Sequence, residues 1–255
     1  RAVRSPADTT RAVGHVVEAT REDVDAAFAA ALAEGARWTR SPAAERAAVL
    51  ERAADLIEER RARFLHLAVR EAGKTIGNAI GEVREAADFC RYYARQIRDR
   101  APAAALGPVV AISPWNFPLA IFTGQIAGAL AAGNPVLAKP AEQTPLIARE
   151  AVRALHDAGV PRAALQFLPG TGDAVGALLV ADLRTAGVVF TGSTDVATHI
   201  HRALAARGNV PLIAETGGQN AMIVDASALP EQVVQDAIAS AFDSAGQRCS
   251  ALRVL

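Results

Sequence analysis

The chain has 255 residues, of which 51% are hydrophobic and 21% are charged. This composition can form a large core and excludes an intrinsically disordered chain, and the length fits one large or two ordinary domains. The 27 basic and 27 acidic residues give a formal net charge of zero, so there is no electrostatic reason to expect a nucleic-acid or anionic-membrane partner. No apolar run reaches the about 18 residues of a membrane-spanning helix. Two cysteines far apart in the sequence, and no signal-peptide pattern, favour the reducing environment of the cytoplasm.

Residues 1–107 are predicted to be mainly helical. Short extended pieces are expected over residues 1–20, and helical spacing then runs over residues 22–74 and 78–96. Pro42 follows Ser41 in a pattern typical of a helix start, with Ser41 as the N-cap. The Pro- and Ala-rich residues 98–107 are predicted to form a connector.

From residue 108 onward, short apolar strands alternate with helices. Strands are predicted over residues 109–112, 135–138, 165–168, 187–190, 211–213 and 221–224. Helices are predicted over residues 119–132, after the second strand to about residue 156, after the fourth strand to residue 206, and from residue 231. This alternation predicts the α/β class: a Rossmann-like parallel sheet flanked by helices, preceded by the N-terminal helical segment. Ligands of such sheets bind at the carboxyl ends of the strands, where the polar motifs of this chain fall.

Cys249 is a candidate nucleophile. It lies in a turn of small residues, next to Arg248 and before an apolar run that is predicted to be a strand. A cysteine reacts as the thiolate, which adjacent positive charge and backbone N–H groups stabilise. An isolated cysteine is nevertheless more often an inert small hydrophobic residue, and Cys90, in a helical pattern, is expected to be structural. The turn alone leaves both interpretations of Cys249 open.

Further polar residues follow predicted strands, and each has two interpretations. Asn116 can donate to an oxyanion or cap a turn. Lys139 and Glu142 can bind a ligand or form a solvated surface pair. Glu215 can be a general base or a surface charge.

Two glycine-containing turns indicate a phosphate site, each only weakly by itself. Gly170, Gly172 and Gly176 come close to a dinucleotide-binding fingerprint, with one extra residue before the last glycine. Gly192 and Ser193 open a predicted helix, where N–H groups and the helix dipole favour a pyrophosphate.

The five histidines form no catalytic or metal-binding set. His199 and His201 are two residues apart on a predicted helix and point to different faces, so they should not chelate a metal. The sequence therefore predicts no metal site.

Four motifs together resemble the aldehyde dehydrogenase superfamily, and the resemblance covers nearly the whole chain. They occupy residues 112–118 (with Trp-Asn-Phe-Pro), 137–145 (with Lys-Pro-Ala-Glu), 189–194 followed by 213–218 (with Glu-Thr-Gly-Gly), and 246–249 (Gly-Gln-Arg-Cys). The family's Glu-Leu-Gly-Gly motif has Thr in place of Leu in this chain, and the carboxylate of its glutamate is kept.

The resemblance implies a role for each motif. Cys249 is the expected nucleophile, Asn116 and the Cys249 N–H are the expected oxyanion donors, and Glu215 is the base that activates water. The implied reaction is NAD-dependent oxidation of an aldehyde through a cysteine thiohemiacetal and a thioester. Phe117 and Ser250 are expected beside the substrate. The expected NAD contacts are Ser113, Trp115, Lys139, Glu142, Gly172, Gly176, Gly192, Ser193 and Gly217.

Several segments resemble a narrower group within the superfamily, the dehydrogenase portion of the bifunctional proline-utilisation proteins. The segments are residues 71–75, 78–80, 82–86, 92–94, 112–125, 215–224 and 241–255. The group oxidises L-glutamate γ-semialdehyde to L-glutamate, and its other half is a flavin-dependent proline dehydrogenase. Alternatives are a dehydrogenase of another aldehyde, or a cofactor-binding module without turnover.

On this resemblance the chain looks like a fragment of a homo-oligomeric enzyme. Residues 1–107 are the expected helical part of the NAD-binding domain, residues 108–245 its Rossmann-like part, and residues 246–255 the start of a catalytic domain that is largely missing. The connector over residues 98–107 is shorter than the group leads us to expect.

Overall fold

The structure is a computed structural model, and it describes residues 1–99 and 104–255. Part of the predicted connector, residues 100–103, therefore lies outside the described residues. The first half consists of a β-hairpin and five helices, which are β1 (Ala2–Ser5), β2 (Asp8–His15), α1 (Arg21–Ala33), α2 (Ala36–Arg40), α3 (Ala43–Glu59), α4 (Arg61–Arg70) and α5 (Ile76–Asp99).

The second half alternates strands and helices, as predicted. Its elements are β3 (Val109–Ile112), α6 (Ala120–Ala131), β4 (Val136–Lys139), α7 (Pro145–Asp157), β5 (Leu165–Phe167), α8 (Ala177–Ala181), β6 (Gly187–Thr191), α9 (Thr194–Ala205), β7 (Leu212–Glu215), β8 (Asn220–Ala221), α10 (Pro230–Phe242) and β9 (Leu252–Val254). The predicted α/β class is confirmed. The domain boundaries at residues 107 and 245 stay a prediction.

Strands β3 to β7 form one parallel sheet in the order β5-β4-β3-β6-β7. The chain winds from β3 outward to β5 and then returns to the other side of β3 as β6. Ile112, at the end of β3, is level with Lys139 of β4 and Phe190 of β6, so the three strands end together. A ligand crevice is expected where the winding direction reverses, at the carboxyl ends of β3 and β6.

Helices cover both faces of this sheet, which explains the continuous apolar runs of its strands. Val109 and Ala111 point into a hydrophobic cluster formed with α3 and α5 to α7. Val110, between them, points into a second cluster, formed with α1, α8 and α9. Alternate residues of a strand face opposite sides, so β3 contributes to both clusters. The sheet is thus held firmly enough to fix the positions of its strand ends.

Two predictions from the sequence are wrong in detail. Ser41 does not cap α3, because its hydroxyl donates to the Trp38 carbonyl (2.6 Å) at the end of α2. Pro42 occupies the N-cap position instead. The strand predicted over residues 221–224 is reduced to β8, which pairs with β9 outside the main sheet. Its remaining apolar residues are not taken into the core, and Ile223 is 94% exposed.

A buried glutamate takes the place of a local cap at the start of α7. Thr144 precedes this helix and makes no side-chain capping bond. Glu71, from the end of α4, accepts hydrogen bonds from the N–H groups of Leu146 (2.7 Å) and Ile147 (2.8 Å). Burial raises the pKa of the Glu71 carboxyl to about 7, and the two N–H donors favour its charged form. The contact joins the helical first half to the sheet domain, because the first N–H groups of any helix need such acceptors.

Glu71→Gln is expected to lower the free energy of unfolding by about 1–3 kcal/mol, because the new amide NH2 faces an N–H donor and leaves it unpaired. Urea unfolding followed by circular dichroism measures the change. The control is Glu59→Gln, since Glu59 is exposed and has no hydrogen-bonding or ionic partner among the described residues. The control should change stability by less than about 0.5 kcal/mol. Equal losses in the two variants would contradict the capping role.

Candidate active site

A cleft of about 630 Å³ opens at the carboxyl ends of β3, β4, β6 and β7. Most of the residues that the sequence singled out come together in its lining, although they are spread over more than half of the chain. They are Ser113, Trp115, Asn116, Lys139, Glu142, Gly172, Gly192, Ser193, Glu215, Gly217 and Cys249. Gly176, Phe117 and Ser250 are not part of the lining.

One side of the cleft presents a buried cation. Lys139 is buried at the end of β4, and its Nζ donates to the Pro140 carbonyl at 2.9 Å. Burial lowers the pKa of Lys139, and the nearby carboxylates of Glu142 and Glu18 oppose this effect. An ammonium has three donors, so this one has donors to spare for hydroxyl groups of a ligand. Gly176 packs beneath the lysine stem, where an added Cβ would lie 3.5 Å from Cδ and Cε.

The middle of the cleft suits a phosphate group. The buried hydroxyl of Ser113 has no hydrogen-bond partner among the described residues. Ser193 caps α9, where its Oγ accepts from the Val196 N–H at 3.3 Å, and α9 begins at the cleft. Gly192 is held close to the Phe190 ring, and a Cβ on it would come within 2.6 Å of Phe190 Cζ. A helix N-terminus, a close backbone and an unpaired hydroxyl are together a suitable environment for an anion.

On the opposite side, Cys249 lies in a tightly bent turn after α10. Ser244, Ala245 and Gly246 follow one another with φ angles of 56°, 55° and 66°. This left-handed conformation costs a residue other than glycine about 1–3 kcal/mol. Gly246 is required, because a Cβ would lie 2.7 Å from the Ala241 carbonyl oxygen. The bend redirects the chain so that Cys249 reaches the cleft.

Arg248 attaches the turn to α10. Its guanidinium donates to the carbonyls of Ala239 and Ser240, both at 2.9 Å, and lies 3.5 Å from the Asp243 carboxylate. A cation at the C-terminal end of a helix is favourable because the last carbonyls of the helix are unpaired. The Arg248 guanidinium, which is next to Cys249 in the sequence, is therefore hydrogen-bonded to α10.

Asn116 reaches the same turn from the loop after β3. Its Nδ2 donates to the Gln247 carbonyl at 2.9 Å. A side-chain amide has two N–H donors, so one remains for an oxyanion formed near Cys249. Glu215 lies at the end of β7, opposite Thr191 of β6, and is exposed on the same cleft. A thiol, an amide donor and a carboxylate thus line one cleft.

Phe117 is half-buried outside the cleft lining, and its ring contacts a buried ion pair. The Nζ of Lys74 is 4.5 Å from the centre of the Phe117 ring and 2.9 Å from Oε1 of Glu82. Glu82 Oε2 accepts from the N–H groups of Leu119 (3.1 Å) and Ala120 (2.8 Å) at the start of α6. These contacts fix the loop that carries Asn116. Ser250 is exposed outside the cleft, and contacts of Phe117 or Ser250 with a substrate stay a prediction.

Some residues that hold the site together were not identified from the sequence. Gln125 of α6 donates to the Ile112 carbonyl (3.2 Å) and to Thr191 Oγ1 (2.9 Å), so it joins the ends of β3 and β6. Its signal is a glutamine within an otherwise apolar helix. Asn220 and Arg253 hold carbonyls of the cysteine turn, and neither has a distinctive sequence pattern.

Residues 1–99 and 104–255 contain no group of three or more histidines, cysteines, aspartates and glutamates arranged to hold a metal ion. In the same ranges, no helix has both the length and the apolar character needed to cross a membrane.

Comparison with known proteins agrees with the geometry of the cleft. The family model described as "Aldehyde dehydrogenase family" matches residues 1–255. The chain belongs to the aldehyde dehydrogenase family. It is 60% identical, over 261 residues, to the bifunctional protein PutA of Escherichia coli (strain K12), with 99% of this chain covered. It is 40% identical, over 267 residues, to the 1-pyrroline-5-carboxylate dehydrogenase of Anoxybacillus flavithermus, with 97% of this chain covered.

A solved structure of 1-pyrroline-5-carboxylate dehydrogenase from Thermus with bound NAD superimposes with a TM-score of 0.93 at 36% identity, over 98% of this chain and 53% of that one. The chain spans about 20% of the length of PutA from E. coli and about 52% of the length of the A. flavithermus dehydrogenase. The family and the fold are thereby shown.

The two cysteines are expected to differ in reactivity towards iodoacetamide. Cys249 is exposed, whereas Cys90 is fully buried in α5 and burial raises its pKa to about 12. The folded chain should therefore gain one carbamidomethyl group, on Cys249, and the chain in urea should gain two. Peptide mass spectrometry identifies the labelled residue. Labelling of Cys90 at a comparable rate in the folded chain would contradict the structure.

Proposed function

We propose that this chain is the cofactor-binding and nucleophile-bearing part of an NAD-dependent L-glutamate γ-semialdehyde dehydrogenase. The observation that carries the proposal is the single cleft that holds Cys249, Asn116 and Glu215 together with Lys139 and Ser193. The relatives named PutA and 1-pyrroline-5-carboxylate dehydrogenase support the substrate, because pyrroline-5-carboxylate is the cyclic imine that the semialdehyde forms by losing water.

In the proposed mechanism, the Cys249 thiolate adds to the aldehyde carbon and forms a thiohemiacetal. The free N–H of Asn116 and the backbone N–H of Cys249 hold the oxyanion. NAD, when bound, would accept the hydride that leaves the former aldehyde carbon, and this loss turns the thiohemiacetal into a thioester. Glu215 then takes a proton from water, which cleaves the resulting thioester to the carboxylic acid and frees Cys249.

The cleft residues fit NAD in separate places. Lys139 and Glu142 are proposed to bind the adenosine ribose hydroxyls, since they offer spare donors and a carboxylate beside each other. Gly192 and Ser193 at the start of α9 are proposed to bind the pyrophosphate. A carboxylate near the 2′ position repels a 2′-phosphate, so Glu142 favours NAD over NADP. Ser113, Trp115, Gly172 and Gly217 are the remaining cleft residues proposed to contact the cofactor, with Gly176 supporting Lys139 from below.

The wider setting follows from the same relatives. We propose a longer, homo-oligomeric, cytoplasmic protein in which this dehydrogenase is joined to a flavin-dependent proline dehydrogenase, as the word bifunctional in the name of the PutA relatives suggests. The second candidate is a cofactor-binding module without turnover, which the exposed position of Cys249 and Glu215 favours for the isolated chain.

NADH absorbance tests the proposal, with glutamate γ-semialdehyde and NAD added to the full-length dehydrogenase and to the 255-residue chain. The full-length wild type and its Cys90→Ala variant should form NADH, and Cys249→Ala should form none, because only the exposed thiol faces the cleft. NAD binding by calorimetry should survive in all of them. Full activity in Cys249→Ala would remove the proposed nucleophile. NAD binding without NADH in the 255-residue chain, beside an active full-length enzyme, would support the second candidate for the isolated chain. An absence of NADH in the full-length wild type would overturn the proposal.

Glu215→Gln is expected to separate the two halves of the reaction. A base that only activates hydrolytic water is not needed to form the thioester, so rapid mixing should still give a burst of about one NADH per active site. Steady-state turnover should fall by about 10²–10⁴-fold. A burst that slows in parallel with turnover would show that Glu215 acts on Cys249 instead, and an unchanged turnover rate would exclude it from the mechanism.

A further inference from the structure

Asn220 lies five positions after Glu215, in the short strand β8 beside β9. Its Nδ2 donates to the Cys249 carbonyl at 2.6 Å and to the Ala251 carbonyl at 3.0 Å. A side-chain amide has two N–H donors, so both are used on the turn that carries the thiol. No other side chain in the described residues bonds either of these carbonyls.

One of these bonds acts on the peptide group that follows the nucleophile, and a backbone bond in the same turn holds the peptide group that precedes it. The carbonyl of Cys249 belongs to the peptide that follows its Cα, and Asn220 fixes the plane of that peptide. The preceding peptide, which carries the Cys249 N–H, is held through the Arg248 carbonyl, which accepts from the Ala251 N–H at 3.2 Å. Because peptide groups are planar, fixing both planes sets the direction in which the Cys249 side chain and N–H point.

We infer that Asn220 is a positioning residue that orients Cys249 and its N–H for attack on the aldehyde. The inference rests on the proposed function of Cys249 and goes beyond it, because Asn220 needs no contact with substrate or cofactor. Asn116 holds the Gln247 carbonyl from the other side of the turn. Residues 215–220 thus carry Glu215, the proposed base, and also hold the turn of Cys249, the proposed nucleophile, through Asn220.

Two substitutions test this role in the full-length dehydrogenase. Asn220→Ala removes both donors, and Asn220→Asp keeps the shape but sets a carboxylate against two carbonyl oxygens. A nucleophile displaced by about 1 Å costs up to about 10²-fold in rate, so kcat should fall about 10–10²-fold in Asn220→Ala and at least as far in Asn220→Asp. The Kd for NAD should stay within about twofold in both. Gln219→Ala is the matched control, since this exposed neighbour makes no side-chain hydrogen bond within the described part of the chain, and it should keep the wild-type kcat.

Hydrogen–deuterium exchange on the 255-residue chain gives a readout that does not depend on turnover. Peptides over residues 246–252 should exchange faster in Asn220→Ala than in wild type, whereas peptides from α6 should not change. Near wild-type kcat in Asn220→Asp, or unchanged exchange over residues 246–252, would overturn the positioning role. If the full-length wild type forms no NADH, the proposed function fails, and the exchange result still decides whether Asn220 holds the turn.

Discussion

The whole site depends on the central strand β3, which is paired on both sides and buried on both faces. This arrangement allows no shift in register, because a shift by one residue would exchange the side chains that face the two hydrophobic clusters. The ends of β3, β4 and β6 are therefore level, and the cleft begins where they stop. Residues from loops that are far apart in sequence meet there because their strands are neighbours.

Two buried carboxylates from the helical first half bind helix N-termini of the sheet domain, in place of local capping residues. Glu71 accepts hydrogen bonds from the first N–H groups of α7, and Glu82 accepts them from the first N–H groups of α6. Gln125 then joins β3 to β6 beneath the cleft. A polar group buried without a partner costs about 1–3 kcal/mol, so each of these contacts strongly favours one arrangement of its elements. Such contacts hold the loop of Asn116 in place without taking part in chemistry.

The cysteine turn is held in a different way. No residue of α10 is buried, and the turn after it is fixed mainly by hydrogen bonds to carbonyls, from Arg248, Arg253, Asn116 and Asn220. Ser244 and Ala245, in the left-handed conformation, add strain to this region. Directional bonds can orient one peptide group at a time, which apolar packing cannot do. This makes the turn suitable for a nucleophile whose direction matters.

The sequence by itself determined the α/β class, the approximate strand positions, and most of the polar residues and glycines that meet in the cleft, because apolar periodicity and the four motifs are local patterns. It also distinguished Cys249 from Cys90, since Cys249 lies in one of the four motifs and Cys90 in a helical pattern. Only the tertiary structure decided the strand order, the bond between Asn116 and residue 247, the place of Phe117 under Lys74, and the use of Arg248 on α10. These depend on partners far apart in the chain, and in the case of Arg248 on a bend in the backbone. Ser41 is a further example, because its hydroxyl could cap α3 or bind the Trp38 carbonyl at the end of α2. Only the folded geometry selects the Trp38 carbonyl.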